Sequence, residues 1–451
     1  MSRFSTRAFT LVAALAALTL LASRSPAQDD EDKPAEAGAA PAVVDGVGIG
    51  GLTFRYIGPQ GNRVSAVVGE PGNDNVYYAG AASGGLWKST DAGIHWHAVF
   101  DSMPAQSIGA IAIASSDHQI VWAGTGESFI RSNVSIGDGV YKSTDGGKTW
   151  SHMGLERTGR IARIVIDPQN ANTVFVAAEG QGYGPQPERG VYRTTDGGKT
   201  WDRVLFVNDS TGASDLAMDP ANPRILVAGM WSFVIHTWGK FSGGSGSGVY
   251  ISHDGGTTWK RAANGLPNGP LGKVAVAIAP NDPSRWYALI ETGWEGKGAL
   301  WRSDDGGGHW RVVSYSHLLA ERPHYYTRLM VSPATPNEIC FPSNCLMRSL
   351  DGGETAEQMP WGGDTHDMWA DPTNADGVIV GDDGGVDITT THGKEWHRVV
   401  LPIAQIYHVA VDDQIPYNVY GNEQDYTAVR GPSNSMGFGI PSALWQTTAG
   451  C

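Results

Sequence analysis

The sequence predicts an all-β protein, a seven-bladed β-propeller of four-stranded antiparallel blades. Three observations predict it. A short turn motif recurs at blade-sized intervals. The segments between its copies alternate apolar and polar residues and are rich in Val, Ile, Tyr and Trp. Gly, Asn-Pro and Asp-Pro punctuate them, and the apolar spacing of three and four that helical repeats require is not there.

The motif reads Ser or Thr, x, Asp, x, Gly, x, x, Trp. Its copies begin with Ser89-Thr-Asp91-Ala-Gly93-Ile-His-Trp96, Ser143-Thr-Asp145-Gly-Gly147-Lys-Thr-Trp150 and Thr194-Thr-Asp196-Gly-Gly198-Lys-Thr-Trp201. Ser252-His-Asp254-Gly-Gly256-Thr-Thr-Trp259 and Ser303-Asp-Asp305-Gly-Gly307-Gly-His-Trp310 follow. Ser349-Leu-Asp351-Gly-Gly353 has lost its Trp, and Thr389-Thr-Thr-His-Gly393-Lys-Glu-Trp396 is eroded further, with His392 near the place of the acid. The aspartates step by 54, 51, 58, 51 and 46 residues. About 50 residues is the size of one four-stranded blade.

The physical sense of the motif is a tight turn. The Asp accepts backbone amides that follow it, the glycines allow positive φ, and the Trp opens the next strand and packs between blades. Asp91, Asp145, Asp196, Asp254, Asp305 and Asp351 are therefore expected to be structural. A calcium loop of the EF-hand type would need further acids and a closing Glu at fixed spacing, which these turns lack.

In each blade, strand C precedes the motif and strand D follows it. The motif then shares one face with A–B turns such as Asp167-Pro168, Asp219-Pro220 and Asp371-Pro372. The B–C and D–A loops occupy the other face, and long loops on a rigid scaffold are where function concentrates. The long B–C loops are Thr125–Gly139, Glu179–Gly190 and Met230–Gly248. They and their neighbours supply the expected ligand-binding residues Arg131, Glu188, Arg189, Trp231, Trp238, Trp361 and His366, with Trp294, Glu295 and His324 nearby. Aromatic rings there offer flat apolar surfaces to sugars or anchor points to a protein partner. Glu127, Asp364 and Asp367 are the candidate catalytic carboxylates. Asp364-Thr-His366-Asp367 is the densest polar cluster; it reads as a structural His–Asp pair, an acid/base site or a metal site. No cofactor motif stands in its required context, and neither metal nor cofactor is expected.

The ends of the chain carry different signals. Arg3 and Arg7, the apolar run Ala8–Ala22 and the small residues Ser25-Pro26-Ala27 read as a signal peptide over 1–27. Residues 28–47, acidic and then rich in Ala and Pro, read as a disordered tether. The propeller is expected over 48–400. Residues 401–451 hold two strand-like segments, Ile406–Asp412 and Tyr417–Tyr420, and read as a half-blade: an incomplete extra blade, the start of a second propeller, or ring closure with Leu52–Tyr56. The net charge of -14 becomes -17 once the three arginines of the signal peptide are removed. That disfavours nucleic acid and anionic membrane surfaces and leaves proteins, peptides and glycans as partners, with no membrane span after cleavage. Cys340 and Cys345 bracket Phe-Pro-Ser-Asn, a hairpin connection across which a disulfide is expected; Cys451 has no intrachain partner.

The motif copies, with Phe54-Arg-Tyr-Ile-Gly-Pro59, Gly124-Thr-Gly-Glu127, Gly137–Gly147, Glu188-Arg-Gly-Val-Tyr192 and His366-Asp-Met-Trp369, resemble BNR or Asp-box repeat proteins. That group includes sialidases, xyloglucan-type endoglucanases, photosystem II assembly factors and the sortilin N-terminal propeller. The chain resembles secreted bacterial proteins of the sortilin N-terminal-like, BNR-repeat glycosyl hydrolase-like kind, over residues 54 to 430. The resemblance implies the fold strongly and the activity weakly, because the group mixes enzymes and binders. The arginine triad of a sialidase is not recognisable. In xyloglucan-type hydrolases the cleft lies between two propellers, and this chain holds one complete propeller. The expectation is an extracytoplasmic interaction module whose loop face binds a peptide, protein or glycan; the alternative is a two-carboxylate glycoside hydrolase.

Overall fold

Seven antiparallel sheets, six of four strands and one of five, follow one another in the computed structural model, at residues 64–98, 108–152, 161–205, 211–261, 274–314, 330–363 and 365–399. The described residues are 57–59, 63–131, 135–293, 299–424, 427–436 and 440–449, all within the unit Arg55–Cys451. The signal peptide, the tether, Leu52–Tyr56, Trp294, Glu295 and Cys451 lie outside them. Each sheet is a meander in chain order. In blade 2, for example, Ile108–Ala114, Asp117–Thr125, Val140–Ser143 and Ser151–His152 pair in sequence.

The strand period of two explains how the blades become a ring. Adjacent residues on the second strand of a blade point to opposite faces, so each enters a different inter-blade core. Tyr78 packs with Ile108 and Val121 between blades 1 and 2, and Trp122 with Ile161 and Val176 between blades 2 and 3. Phe175 meets Leu226 between blades 3 and 4, while Val227 meets Trp286 between blades 4 and 5. Tyr287 packs with Ile339 and Phe341, and Cys340 with Val378. The last core joins Ile379 and Ile388 of blade 7 to Val64 and Tyr77 of blade 1. Full burial of side chains of this size stabilises by about 1.5–3 kcal/mol each, so the cores supply the main cohesion of the ring.

The seam is also hydrogen-bonded: Val67 N donates to Asp367 Oδ2 at 3.2 Å and Gly72 N to Asp371 Oδ2 at 2.8 Å. The ring therefore closes between blades 7 and 1 through a shared core and backbone-to-carboxylate hydrogen bonds. Close approach near the axis sets the inner strands. A Cβ on Gly109 would stand 2.3 Å from the carbonyl oxygens of both Gly126 and Ile161.

The turn motif has one geometry throughout. Ser143 Oγ donates to Asp145 Oδ1 at 2.7 Å, Gly147 N donates to Ser143 Oγ at 2.7 Å, and Thr149 N donates to Asp145 Oδ1 at 2.9 Å. The same three bonds recur at Asp91, Asp196, Asp254, Asp305 and Asp351. The Thr149 hydroxyl, then its amide, hold Asp145 below the ordinary carboxylate range. Two successive left-handed residues close the turn, Gly146 at φ 69° and Gly147 at φ 87°. In the seventh copy Thr391, not His392, stands for the acid: Thr391 Oγ1 accepts Glu395 N at 2.9 Å. His392 instead turns away, its Nε2 lying 2.9 Å from Glu338 Oε1.

Three further readings of the sequence are corrected. Residues 406–449 form four strands, Ile406–Val411, Asn418–Glu423, Ala428–Pro432 and Gln446–Ala449, rather than a half-blade. The outer two are short and carry no Asp motif, which hid them. Cys340 and Cys345 are free thiols. Register is the reason: Cys340 stands opposite Arg348, and Cys345 opposite Gly363. Finally, the loop Met230–Gly248 is not irregular. Strand Leu226–His236 runs on past its blade and pairs with Gly239–Ser242, giving blade 4 a fifth strand. Among the described residues no helix is long and apolar enough to cross a membrane.

Candidate functional site

The loops at the B–C and D–A ends carry two different environments, one filled with ion pairs and one walled by aromatic rings. The first is built around Glu127, in the B–C loop of blade 2. Its carboxylate is buried and takes Arg131 Nε at 2.9 Å, Arg131 Nη2 at 3.3 Å and Arg63 Nε at 3.4 Å. Arg131 also donates to Gln405 Oε1 at 2.8 Å and Gln424 Oε1 at 2.7 Å, so one guanidinium ties the ring to the eighth sheet. Both oxygens of Glu127 are thus committed to guanidinium groups.

His366, at the start of the inner strand of blade 7, is buried. Its Nδ1 lies 3.0 Å from Val64 O, which can only accept, so Nδ1 carries the proton. Its Nε2 accepts the Tyr325 hydroxyl at 3.0 Å, and that hydroxyl accepts Arg63 Nη2. Burial pushes His366 well below its ordinary range, and it stays neutral. Asp367 accepts Val67 N and, at 3.5 Å, Arg163 Nη1; Arg163 Nε in turn meets Asp215 Oδ1 at 2.9 Å. Asp364 differs: its backbone is left-handed at φ 51°, its side chain is 37% exposed, and Oδ1 takes the Tyr326 hydroxyl with Arg322 Nη1 3.9 Å away. Of the three candidate carboxylates, Asp364 alone reaches solvent. Asp364, His366 and Asp367 go to separate partners, and among the described residues no three His, Cys, Asp or Glu side chains are placed to hold a metal.

The expected ligand-binding residues are spread out. Glu188 pairs with Arg157 at 3.0 Å. Arg189 is fully buried, donating to Ser210 O at 2.8 Å and lying 4.6 Å over the Phe233 ring; burial and then Arg160 bring it down to about 10. Trp361 lies within the outer strand of blade 6, Glu357–Gly363, rather than in a loop, 6.4 Å from Trp396. Trp231 and Trp238 share the blade 4 hairpin but not its environment: Trp231 is buried and Trp238 is 78% exposed.

The second environment lies under that hairpin. A cavity of 340 Å³ is lined by Ile130, Trp231, Phe233, Ile235 and Phe241, with Lys240, Ser242, Glu291 and His324 as its polar groups. The alternation Trp231-x-Phe233-x-Ile235 puts three large side chains on one face of the strand, and Trp231 and Phe233 stack at 4.2 Å. Trp231 Nε1 donates to Ser242 Oγ at 2.9 Å; Ser242 Oγ donates to Glu291 Oε2, which also takes Lys273 N at 2.8 Å. The carboxylate is thereby fixed at the cavity. Burial, then Lys240, Lys273 and Arg322, push His324 down to about 4, so it is a neutral donor or acceptor at ordinary pH.

Behind the cavity sits a buried charged group that sequence reasoning missed. Glu179 is raised to about 7 by burial, although Lys273, Arg160, Arg328 and Arg189 surround it. Burial lowers Lys273 to about 8; its Nζ donates to Tyr325 O at 2.9 Å and lies 5.1 Å over the Trp231 ring. Phe233, Phe241, Glu291, Lys273 and Arg328 carry no local motif. The one available signal was the alternation after Met230 followed by Thr-Trp-Gly-Lys, which is a hairpin pattern.

Comparison with known proteins adds to this geometry. Residues 141–152 and 250–261 match the family model described as BNR/Asp-box repeat, and the chain is a β-propeller carrying those repeats. It is 26% identical over 290 residues to a xyloglucanase of Hypocrea jecorina (strain QM6a), covering 57% of this chain and 33% of that one. It is 26% identical over 335 residues to a xyloglucanase of Paenibacillus sp, covering 66% and 31%. The chain thus spans about a third of the length of these curated relatives. Among solved structures it is similar to an ancestral GH74 enzyme, with TM-score 0.48, 19% identity and coverage of 84% and 56%. It is also similar to YCF48 from Cyanidioschyzon merolae, with TM-score 0.48, 14% identity and coverage of 75% and 97%.

Proposed function

We propose that this chain is an extracytoplasmic, glycan-acting propeller of the xyloglucanase type, engaging a polysaccharide of the xyloglucan class across its B–C and D–A loops. The observation that carries the reading is the 340 Å³ cavity under the blade 4 hairpin, with stacked aromatic walls and a fixed carboxylate. It has the apolar lining and few convergent polar groups of a ligand pocket. The likeness to xyloglucanases favours a glycan over the peptide and protein ligands first expected, and hydrolysis over recognition alone.

In such chemistry two carboxylates flank the bond, about 6.5–9.5 Å apart if the enzyme inverts. Asp364 is the available one on this face, because Glu127 and Asp367 are consumed by arginines and backbone amides. A further blade system would supply the second. The eighth sheet is suited to begin it: its inner strand Ile406–Val411 is apolar yet exposed along its whole length, with Val409 at 70% and Val411 at 62%. An inner propeller strand is stable when blades cover both its faces.

The test is release of reducing ends from xyloglucan by the full chain and by Asp364→Asn. Turnover that falls at least 100-fold in the variant, with glycan binding retained, supports hydrolysis at Asp364. Binding without turnover in either protein selects the second reading, a glycan-recognition module, which the sequestration of Glu127 and Asp367 favours. No binding to any xyloglucan oligosaccharide overturns both.

A further inference from the structure

Blade 4 differs from the other six blades in one element. Its second strand overruns the blade and returns as Gly239–Ser242, with a two-residue turn, Thr237-Trp238, at the tip. Nothing in the ring calls for this extension, since blades 1 to 3 and 5 to 7 pack with four strands each. The hairpin has two faces of opposite character. Trp231, Phe233 and Ile235 turn inward with Ile130 and are buried. His236 and Trp238 are held outward, Trp238 at 78% exposure, and Phe241 stands at the cavity's edge at 54% exposure.

These outward rings are ordered against one another. The His236 and Trp238 rings are 4.7 Å apart and 4° from parallel, and Phe241 meets His236 edge-on at 5.7 Å. One face of the Trp238 indole is taken by the imidazole and the other is open. Lys240, Phe241 and Ser242 line the cavity, and Trp238 lies two residues before Lys240 at the tip of the same strand pair. The cavity, at 340 Å³, is at the small end of the ~300–1,000 Å³ range of ligand pockets. The hairpin whose return strand lines the cavity carries a flat, exposed indole at its tip.

We infer that the hairpin is a second glycan subsite: the cavity holds the first rings of a polysaccharide, and Trp238, braced by His236 with Phe241 beside it, stacks on a ring further along the chain. The inference rests on the glycan reading proposed above and adds its chain-length preference and the residue that sets it. Stacking of a sugar on an aromatic face needs a planar, preorganised and accessible ring: the indole is planar in itself, the His236 brace preorganises it, and its exposure makes it accessible.

The experiment is calorimetric titration of the full chain, wild type and Trp238→Ala, with xyloglucan-type oligosaccharides of two and of at least six backbone rings. The expected result is about tenfold tighter wild-type binding of the long oligomer than the short one, and loss of that tenfold in Trp238→Ala with short-oligomer affinity unchanged. Trp238→Phe should restore most of it. Equal affinity of wild type and Trp238→Ala for the long oligomer overturns the subsite while leaving the glycan reading in place. Failure of wild type to bind either oligomer overturns the glycan reading itself. A changed oligomeric state of Trp238→Ala on size-exclusion chromatography, with glycan affinity unchanged, assigns the hairpin to a protein contact and overturns the subsite.

Discussion

The inner strand of the eighth sheet and the inner strands of the ring are nearly the same peptide in opposite surroundings. Val64–Glu70 and Ile108–Ala114 are apolar and bury most of their side chains between neighbouring blades. Ile406–Val411 is equally apolar and exposed from end to end. The difference is not in the strand but in its neighbours: a blade of the ring has one on each side, whereas among the described residues Arg131 joins the ring to the eighth sheet through Gln405 and Gln424, and Trp445 joins that sheet to the segment before blade 1. Trp445 Nε1 reaches Ile57 O at 2.9 Å. An apolar inner strand is thus a prediction about adjoining blades, and in the eighth sheet that prediction is not met within the described residues.

An acid placed in the two strands should separate them most. Ile161→Asp puts an unpaired charge into the core between blades 2 and 3 and should cost at least ~4 kcal/mol or abolish folding. Val409→Asp should change stability by no more than about 0.5 kcal/mol and raise solubility. Urea unfolding of both variants checks the pair; equal costs would erase the contrast. Next in size is Arg131→Ala. It leaves Glu127 with Arg63 alone and removes the guanidinium bonds to Gln405 and Gln424, so about 2–4 kcal/mol should be lost. Limited proteolysis should then cut first between blade 7 and the eighth sheet.

Smaller effects sharpen the picture at the loops and turns. His324 is held down to about 4, below its ordinary 6.5. A depressed histidine contributes stability that is complete above pH 6.5 and is lost as pH falls towards 4. Wild type should therefore lose on the order of 1–2 kcal/mol more than His324→Gln over that window, a difference readable in melting curves at several pH values. Smallest is Ala92→Gly. Ala92 sits at φ 60° where most other copies of the motif carry Gly, and the change should gain about 0.5 kcal/mol or less.

What could be read from the sequence divides along the same line. The turn motif is local, so its spacing located the blades, and its hydrogen bonds follow from residues within a few positions of Asp145 or Asp254. The number of blades followed from counting copies, whereas the way the ring closes was left open, because the seam joins residues some 300 positions apart such as Val67 and Asp367. The loop face is assembled from residues far apart in the chain, such as Arg63 with Glu127 and His366 with Val64, and no local pattern reports such meetings. Arg189, Trp231 and His366 looked exposed because polar loops surround them; they are buried because loops from several blades converge on them. Trp238 is exposed because it stands at a hairpin tip, where solvent access is decided by two residues. The disulfide failed on register, which depends on the exact strand ends around Phe341 and Cys345.

The proposed division is a loop face that engages a glycan and an Asp-motif face that serves as scaffold. Amide hydrogen exchange of the full chain, with and without xyloglucan oligosaccharides, tests it most directly. Slowed exchange at Ile130, Phe233–Ser242, Glu291 and His324–Thr327, with the turns at Asp91 through Asp351 unchanged, is the predicted result. Slowing at those turns, or no slowing anywhere at saturating oligosaccharide, would contradict it.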